Sequence, residues 1–182
     1  MEETLLKFFE KYQERIEEFK FDRPFVLLYD IKGILKNAGR NGLIYSLMRY
    51  TNVTDSTCQV TGDFGFLNYV KNNKKVFVFG SSYSGYDYAL NKQTGEIVTI
   101  EIDGDEIYFP VAKDELSFLK VQIELIEFDS LFKPGIKVEA QTSQSYRRKC
   151  IEIAGGEKYA KLYNYTVISQ DDQPDGLFKL VD

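Results

Sequence analysis

Apolar and polar positions alternate in two distinct rhythms along this chain. Over residues 3–20, Leu5, Phe8, Phe9, Tyr12, Ile16 and Phe19 recur every three or four residues. That spacing puts them on one stripe of an amphipathic helix. Glu2 and Glu3 sit where a helix N-terminus favours negative charge, and Pro24 ends the pattern. From residue 76 the rhythm changes. Val76–Phe79 is a continuous apolar run and predicts a buried strand. Tyr86–Leu90 alternates, with Tyr86, Tyr88 and Leu90 on one face, and Glu96–Ile102 puts Val98, Ile100 and Ile102 on one face. Asn91–Gly95 between them is a short hairpin loop, with Gly95 suited to the left-handed position. Asp103-Gly104 is the preferred dipeptide of a two-residue hairpin turn. Glu106–Val111 then completes an antiparallel meander over 76–111, and Pro110 predicts an edge strand or a strand end. A helix follows from Lys113, with Leu116, Leu119, Ile123 and Ile126 at helical spacing, stopped by Lys133-Pro134-Gly135.

The remaining segments are read from weaker signals. Phe25–Tyr29 is a short apolar run and predicts a strand. Gly39–Gly42 predicts a turn, and Leu43–Tyr50 fits a strand or a helix. Gly62–Gly65 predicts another turn, and Phe64–Asn72 a short helix. A helix near 143–154, capped by Ser143 or Thr142 and ended by Gly155-Gly156, is expected. Tyr159–Ile168, rich in Tyr, Thr and Val, predicts a strand, and Gln170–Gly176 a polar turn. No repeat, low-complexity run or linker divides the chain. The expectation is a single α+β domain over 1–182, an antiparallel or mixed sheet flanked by helices.

Composition removes most enzyme classes. A chain of 182 residues with 43% hydrophobic positions, 14 Phe and 13 Tyr is long enough for a substantial core. It has no histidine, which excludes His-based triads, dyads, general bases and metal ligands. Cys58 and Cys150 are far apart and form no zinc motif; their spacing leaves open whether they pair. The start of the chain is charged and amphipathic rather than a signal peptide, and no apolar run approaches a membrane span. A cytoplasmic protein with no membrane association is therefore expected. Asn52-Val53-Thr54 matches the glycosylation pattern, an accidental match in a chain without a secretory signal.

Each candidate chemistry falls short. Gly80–Gly85 after a strand is half of a phosphate loop, but Tyr86 and Asp87 stand where lysine and Ser/Thr are needed. Asp103, Asp105 and Glu106 offer hard oxygen ligands without calcium-loop spacing. They also leave a small carboxylate hydrolase as the least favoured reading. Neither Lys113 nor any serine has an activating neighbour. The expectation is no catalytic residue, no metal and no cofactor. Charge, by contrast, is uneven within a net of −5. Residues 101–129 hold nine acids against Lys113 and Lys120. Residues 32–75 hold seven basic residues against Asp55 and Asp63. An acidic face attracts basic partners and repels nucleic acid and membrane surfaces. Tyrosines beside it suit a protein interface.

Phe79-Gly80-Ser81-Ser82, Gly85–Leu90, Thr94–Val98 and the 113–126 helix containing Leu116–Leu119 together resemble the SUKH superfamily, best over 76–128. The tryptophan frequent in that family is absent, and residues 31–75 and the tail beyond 135 depart from it. The resemblance implies one α+β domain. It also implies an immunity protein that neutralises a cognate bacterial toxin, such as a nuclease, by stoichiometric binding without chemistry, or alternatively a regulatory scaffold of the same fold. Nuclease sites are basic because they hold phosphates, and opposite charge speeds association. Tyr83, Asp87, Asp103, Asp105 and Glu106 are the candidate partner-binding residues.

Overall fold

In the computed structural model, residues 1–18, 25–53, 59–82, 84–102, 106–133 and 136–168 are described, with backbone alone at 68–70. Among the described residues, six α-helices and a five-stranded sheet share one hydrophobic core. The sheet order is β1-β2-β3-β4-β5, every pair antiparallel, so the meander is continuous. The strands are β1 Gly65–Asn72, β2 Val76–Ser81, β3 Tyr86–Asn91, β4 Ile97–Glu101 and β5 Ile107–Ala112. The helices are α1 Glu2–Glu18, α2 Ile31–Asn41, α3 Leu43–Arg49, α4 Glu115–Asp129, α5 Ala140–Ala154 and α6 Ala160–Thr166.

Where local signals were strong, the elements form as expected. Leu5, Phe8, Phe9, Tyr12 and Ile16 of α1 are all buried; Phe19 lies outside the described residues. Gly95 takes φ +76 and closes the β3–β4 hairpin, where the Asn91 side chain accepts from the Gln93 N–H at 2.9 Å. The Asp103-Gly104 turn and Gln170–Gly176 lie outside the described residues. β5 is the edge strand that Pro110 predicts. The core face of the meander carries Phe77, Phe79, Tyr88, Ile97 and Val111, with Phe79 and Tyr88 packed on Phe118 of α4. Val76, Val78, Ala89, Val98 and Ile100 form a second cluster on the other face.

Four expectations are corrected. Phe25–Tyr29 is no strand: among the described residues its single β-bridge is Tyr29 to Thr51. Its backbone is instead met by side chains: Asn52 Oδ1 accepts from the Leu28 N–H at 2.8 Å, Asn52 Nδ2 donates to the Val26 carbonyl at 2.9 Å, and Gln13 accepts from the Leu27 N–H at 2.9 Å. The turn at Gly39–Gly42 is confined to Gly42, at φ +89; α2 runs on through Asn41. The predicted helix at Phe64–Asn72 is strand β1, because Phe66 is needed in the aromatic core and Gly65 pairs with Ser81. Tyr159–Ile168 is a 3-10 turn followed by α6, because Tyr159, Leu162 and Tyr163 meet the core at helical spacing. Burial overrides β-propensity there. Leu43–Tyr50 resolves to the helix α3. Helix α5 starts at Ala140, without a side-chain cap, and Ser143 is buried inside it.

One glycine fixes how the sheet meets the N-terminal layer. Phe64 packs edge-on against Phe66, Phe79, Tyr88 and Phe118, with ring centroids 5.0 to 6.0 Å apart. A Cβ on Gly80 would lie 2.3 Å from the Phe64 ring, so only glycine lets the ring seat there.

Helix α2 is held by packing rather than by its own charges. Ile34 is fully buried, and Leu35 and Ala38 pack on the core. Asp30 caps the helix by accepting from the Gly33 N–H at 3.0 Å. Lys32, Lys36 and Arg40, at four-residue spacing, line its exposed side. Like charges at that spacing cost a few tenths of a kcal/mol per pair, and Gly39 costs up to about 1 kcal/mol relative to alanine. Nothing lies within 4 Å of a Cβ built on Gly39, so no packing demands a glycine there.

Candidate protein-binding surface

The meander brings one end of every strand together. At that end Ser81 pairs with Asp87, Tyr86 with Glu101, Asp87 with Ile100, and Ile100 with Ile107. Asp87 and Glu106, two of the five sequence candidates, therefore share one end of the sheet. Tyr83, Asp103 and Asp105 lie outside the described residues. Asp87 is half-buried and not free of partners. Glu106 is exposed, and its carbonyl accepts from the Glu101 N–H at 3.3 Å. Glu101 is exposed as well.

The sequence reading missed the apolar half of this surface. Ile102, expected on one face with Val98 and Ile100, is 49% exposed where those two are buried, because β4 ends one residue before it. Ile107 and Tyr108 are 47% and 55% exposed. Pairing jumps from Thr99–Phe109 to Ile100–Ile107, which leaves Tyr108 as an extra residue on β5. A bulge of this kind re-aims a side chain and is frequent on functional edges. Phe109 turns to the core and meets Tyr86. Pro110 and the Asp-Gly turn marked this strand as an edge in the sequence; the bulge had no such mark.

Edge strands are commonly covered, and among the described residues α6 meets β5 at Phe109 and Val111. Tyr163 of α6 donates to the Val111 carbonyl at 2.7 Å, and the Lys161 ammonium sits 4.6 Å from the centre of the Phe109 ring. Among the described residues, no hydrogen bond or ring contact of α6 reaches Ile107 or Tyr108. The result is three exposed apolar side chains flanked by Glu101 and Glu106.

The acid excess of 101–129 is not one face. Its helical members are used internally. Asp114 caps α4 by accepting from the Ser117 N–H at 2.6 Å. The Glu115 carboxylate accepts from the N–H groups of Leu43 and Ile44, both at 2.9 Å, and so caps α3. Glu124 pairs with Lys149 at 2.6 Å, Glu127 with Lys7 at 3.2 Å, and Asp129 with Arg15 at 3.2 Å. Among the described acids of this stretch, Glu101 and Glu106 are the two exposed ones without an internal side-chain task.

Beside this surface, Asp63 anchors the β2–β3 loop. Its carboxylate accepts from Ser84 Oγ at 2.8 Å, Tyr86 OH at 2.6 Å and Tyr88 OH at 3.0 Å. Both phenols are raised well above their ordinary value of 10.0, by burial first and by Asp63 second. They remain protonated donors, so the cluster holds the loop and offers no activated nucleophile. No sequence signal marks Asp63, whose partners lie 21 to 25 residues away. Its neighbour Asp129 accepts from the Gly62 N–H at 2.6 Å; burial raises its carboxyl above 3.8, against the pull of Arg15 and that N–H.

Other places that might carry chemistry are occupied by structural pairs. A groove of about 310 Å³ between α1, α4 and α5 is lined in part by Lys7, Lys120, Ile123, Glu124 and Ile153, and its Lys7 and Glu124 are already ion-paired. Cys150 is a free, buried thiol, pushed up to about 12 by burial and then by the Glu124 charge; Cys58 lies outside the described residues. Both polar atoms of the Asn52 amide are bonded to backbone, the oxygen to the Leu28 N–H and the nitrogen to the Val26 carbonyl. Among the described residues no three metal-ligating side chains cluster, and no helix is long and apolar enough to cross a membrane. Compared with known proteins, the chain matches no family model, no curated protein and no solved structure.

Proposed function

We propose that this protein is a non-enzymatic, cytoplasmic binder that neutralises a basic protein partner by occupying it stoichiometrically, as immunity proteins of the SUKH superfamily neutralise toxins. The observation that carries the reading is the exposed start of β5. There Ile102, Ile107 and Tyr108 stand exposed beside Glu101 and Glu106. Interfaces of this kind combine an apolar centre that sets residence time with charges that set encounter rate. Asp63 supports the surface by fixing the neighbouring loop through three hydroxyl groups. Such a surface acts by exclusion: it covers a phosphate-binding site on the partner and needs no bond-making of its own.

The test is affinity capture from the native organism with mass spectrometry, followed by surface plasmon resonance on the captured partner. Glu101→Lys with Glu106→Lys is expected to slow association about tenfold at low salt. Ile107→Ser with Tyr108→Ala is expected to speed dissociation about tenfold or more. A captured partner that binds both double variants like the wild type would sink the proposal. Capture of an endogenous regulator in place of a toxin would move the same surface to a scaffold role.

A further inference from the structure

We propose that the basic side of α2 docks on the acidic hairpin end of a second copy of this chain, giving head-to-tail association. The inference uses the acidic surface described above but does not depend on that surface having a basic partner. Lys32, Lys36 and Arg40 are exposed at four-residue intervals and make no ion pair among the described residues. Their repulsion and the glycine between Lys36 and Arg40 both weaken the helix that carries them. The fold gains nothing from either, and the open space at Gly39 admits close approach by another surface.

Apolar side chains adjoin the charges on both surfaces. Just before α2, Val26 and Leu28 are 61% and 63% exposed. They are presented rigidly, because Asn52 clamps the backbone beneath them. Aliphatic side chains of this kind suit a protein partner better than nucleic acid, which is met by stacking aromatics. On the opposite surface, Ile102, Ile107 and Tyr108 stand beside Glu101 and Glu106. Sign and composition thus match between the two.

A single molecule cannot join them. The end of α2 abuts the first turn of α4, where Glu115 caps α3. The acidic end lies by the last residue of α4: Asp129 holds Gly62, the adjacent Asp63 holds Tyr86, and Tyr86 pairs with Glu101. Helix α4 has 15 residues and so separates the two by about 22 Å. Two different patches meeting between copies form a heterologous contact, which builds an open chain with one patch of each kind free at its ends, or a closed ring where the rotation between copies permits. A basic partner protein would compete with the second copy for the hairpin.

Sedimentation velocity of the full chain tests this, at about 20 mM and about 500 mM salt and up to about 1 mM protein. The expected result is a mass that rises with concentration at low salt and returns to 21.1 kDa at high salt. Lys36→Glu with Arg40→Glu, and separately Glu101→Lys with Glu106→Lys, are each expected to remain monomeric. An equimolar mixture of the two is expected to associate again, since each then offers the charge the other lacks. The milder pair Lys36→Gln with Arg40→Gln is expected to weaken association about tenfold, with unchanged circular dichroism. A wild type that is monomeric throughout, an association untouched by the α2 reversals, or a mixture that fails to associate overturns the proposal. A monomeric wild type that still captures a basic partner through the hairpin overturns this inference alone.

Discussion

The meander and the N-terminal layer bury similar side chains but are held by different means. In the meander, consecutive strands satisfy one another's backbone, and each turn closes within a few residues. In the layer formed by residues 25–53 and 59–64, side chains from far along the chain satisfy the backbone. Glu115 reaches Leu43 and Ile44, Asp129 reaches Gly62, Gln13 reaches Leu27, and Asn52 reaches Val26 and Leu28. Loss of one side chain therefore leaves backbone donors of the layer unmet, a cost of about 1–3 kcal/mol where the donor is shielded from water, as at Leu27, Leu43 and Ile44, and less where it is exposed, as at Leu28 and Gly62. The same loss in the meander leaves its ladder intact.

The sharpest way to break this contrast is at the junction. Gly80→Ala places a methyl 2.3 Å from the Phe64 ring and 3.0 Å from the Gly65 carbonyl. A loss of about 3 kcal/mol in urea unfolding is expected; a loss below about 1 kcal/mol would show that the ring reseats freely. Next comes Glu115→Ala, which uncaps α3 and is expected to cost about 2 kcal/mol, with faster hydrogen exchange at Leu43 and Ile44 than in β3 or β4. Equal acceleration in the strands would contradict a locally held layer. Asn52→Ala is expected to cost about 1–2 kcal/mol, and Asn52→Asp less, because it keeps the acceptor for Leu28 and loses only the donor to Val26.

The smallest effect separates the two regions by pH. Glu96, at the β3–β4 hairpin, lies below its ordinary 4.5 because Lys158 and then Tyr159 donate to it. Its folded value is depressed, so its contribution is present above 4.5 and is lost as pH falls through the folded value. Glu96→Gln is expected to be less stable than the wild type by under about 1 kcal/mol at neutral pH and equal to it in acid. Asp129, which holds the layer, behaves in the opposite sense. Burial raises its folded value above 3.8, so the native state binds the proton more tightly and stability is lost as pH rises through that value. The wild type is therefore expected to gain on Asp129→Asn as pH falls. Urea midpoints at a series of pH values measure both, and parallel trends in the two variants would refute the opposition.

The candidate surface was partly legible for the same reason as the fold. Glu106 and the edge character of β5 follow from Asp103-Gly104 and Pro110, which act over neighbouring residues. The exposure of Ile102, Ile107 and Tyr108 depends on where β4 stops, on the bulge at Tyr108 and on the reach of α6, none of which local patterning encodes. The acids of α4 looked like surface charge in the sequence and are instead caps and ion-pair partners.

The sequence by itself determined α1, the order of strands β2 to β5 with the Asn91–Gly95 hairpin, and α4, because periodicity, glycine and Asn turn chemistry act within about ten residues. Tertiary structure alone decided that Gly65–Asn72 is a strand, that Leu43–Arg49 and Ala160–Thr166 are helices, and that Asp63 gathers Ser84, Tyr86 and Tyr88. Those outcomes rest on burial against distant elements and on bonds between residues far apart in the chain. They exist only once the core has brought both partners together.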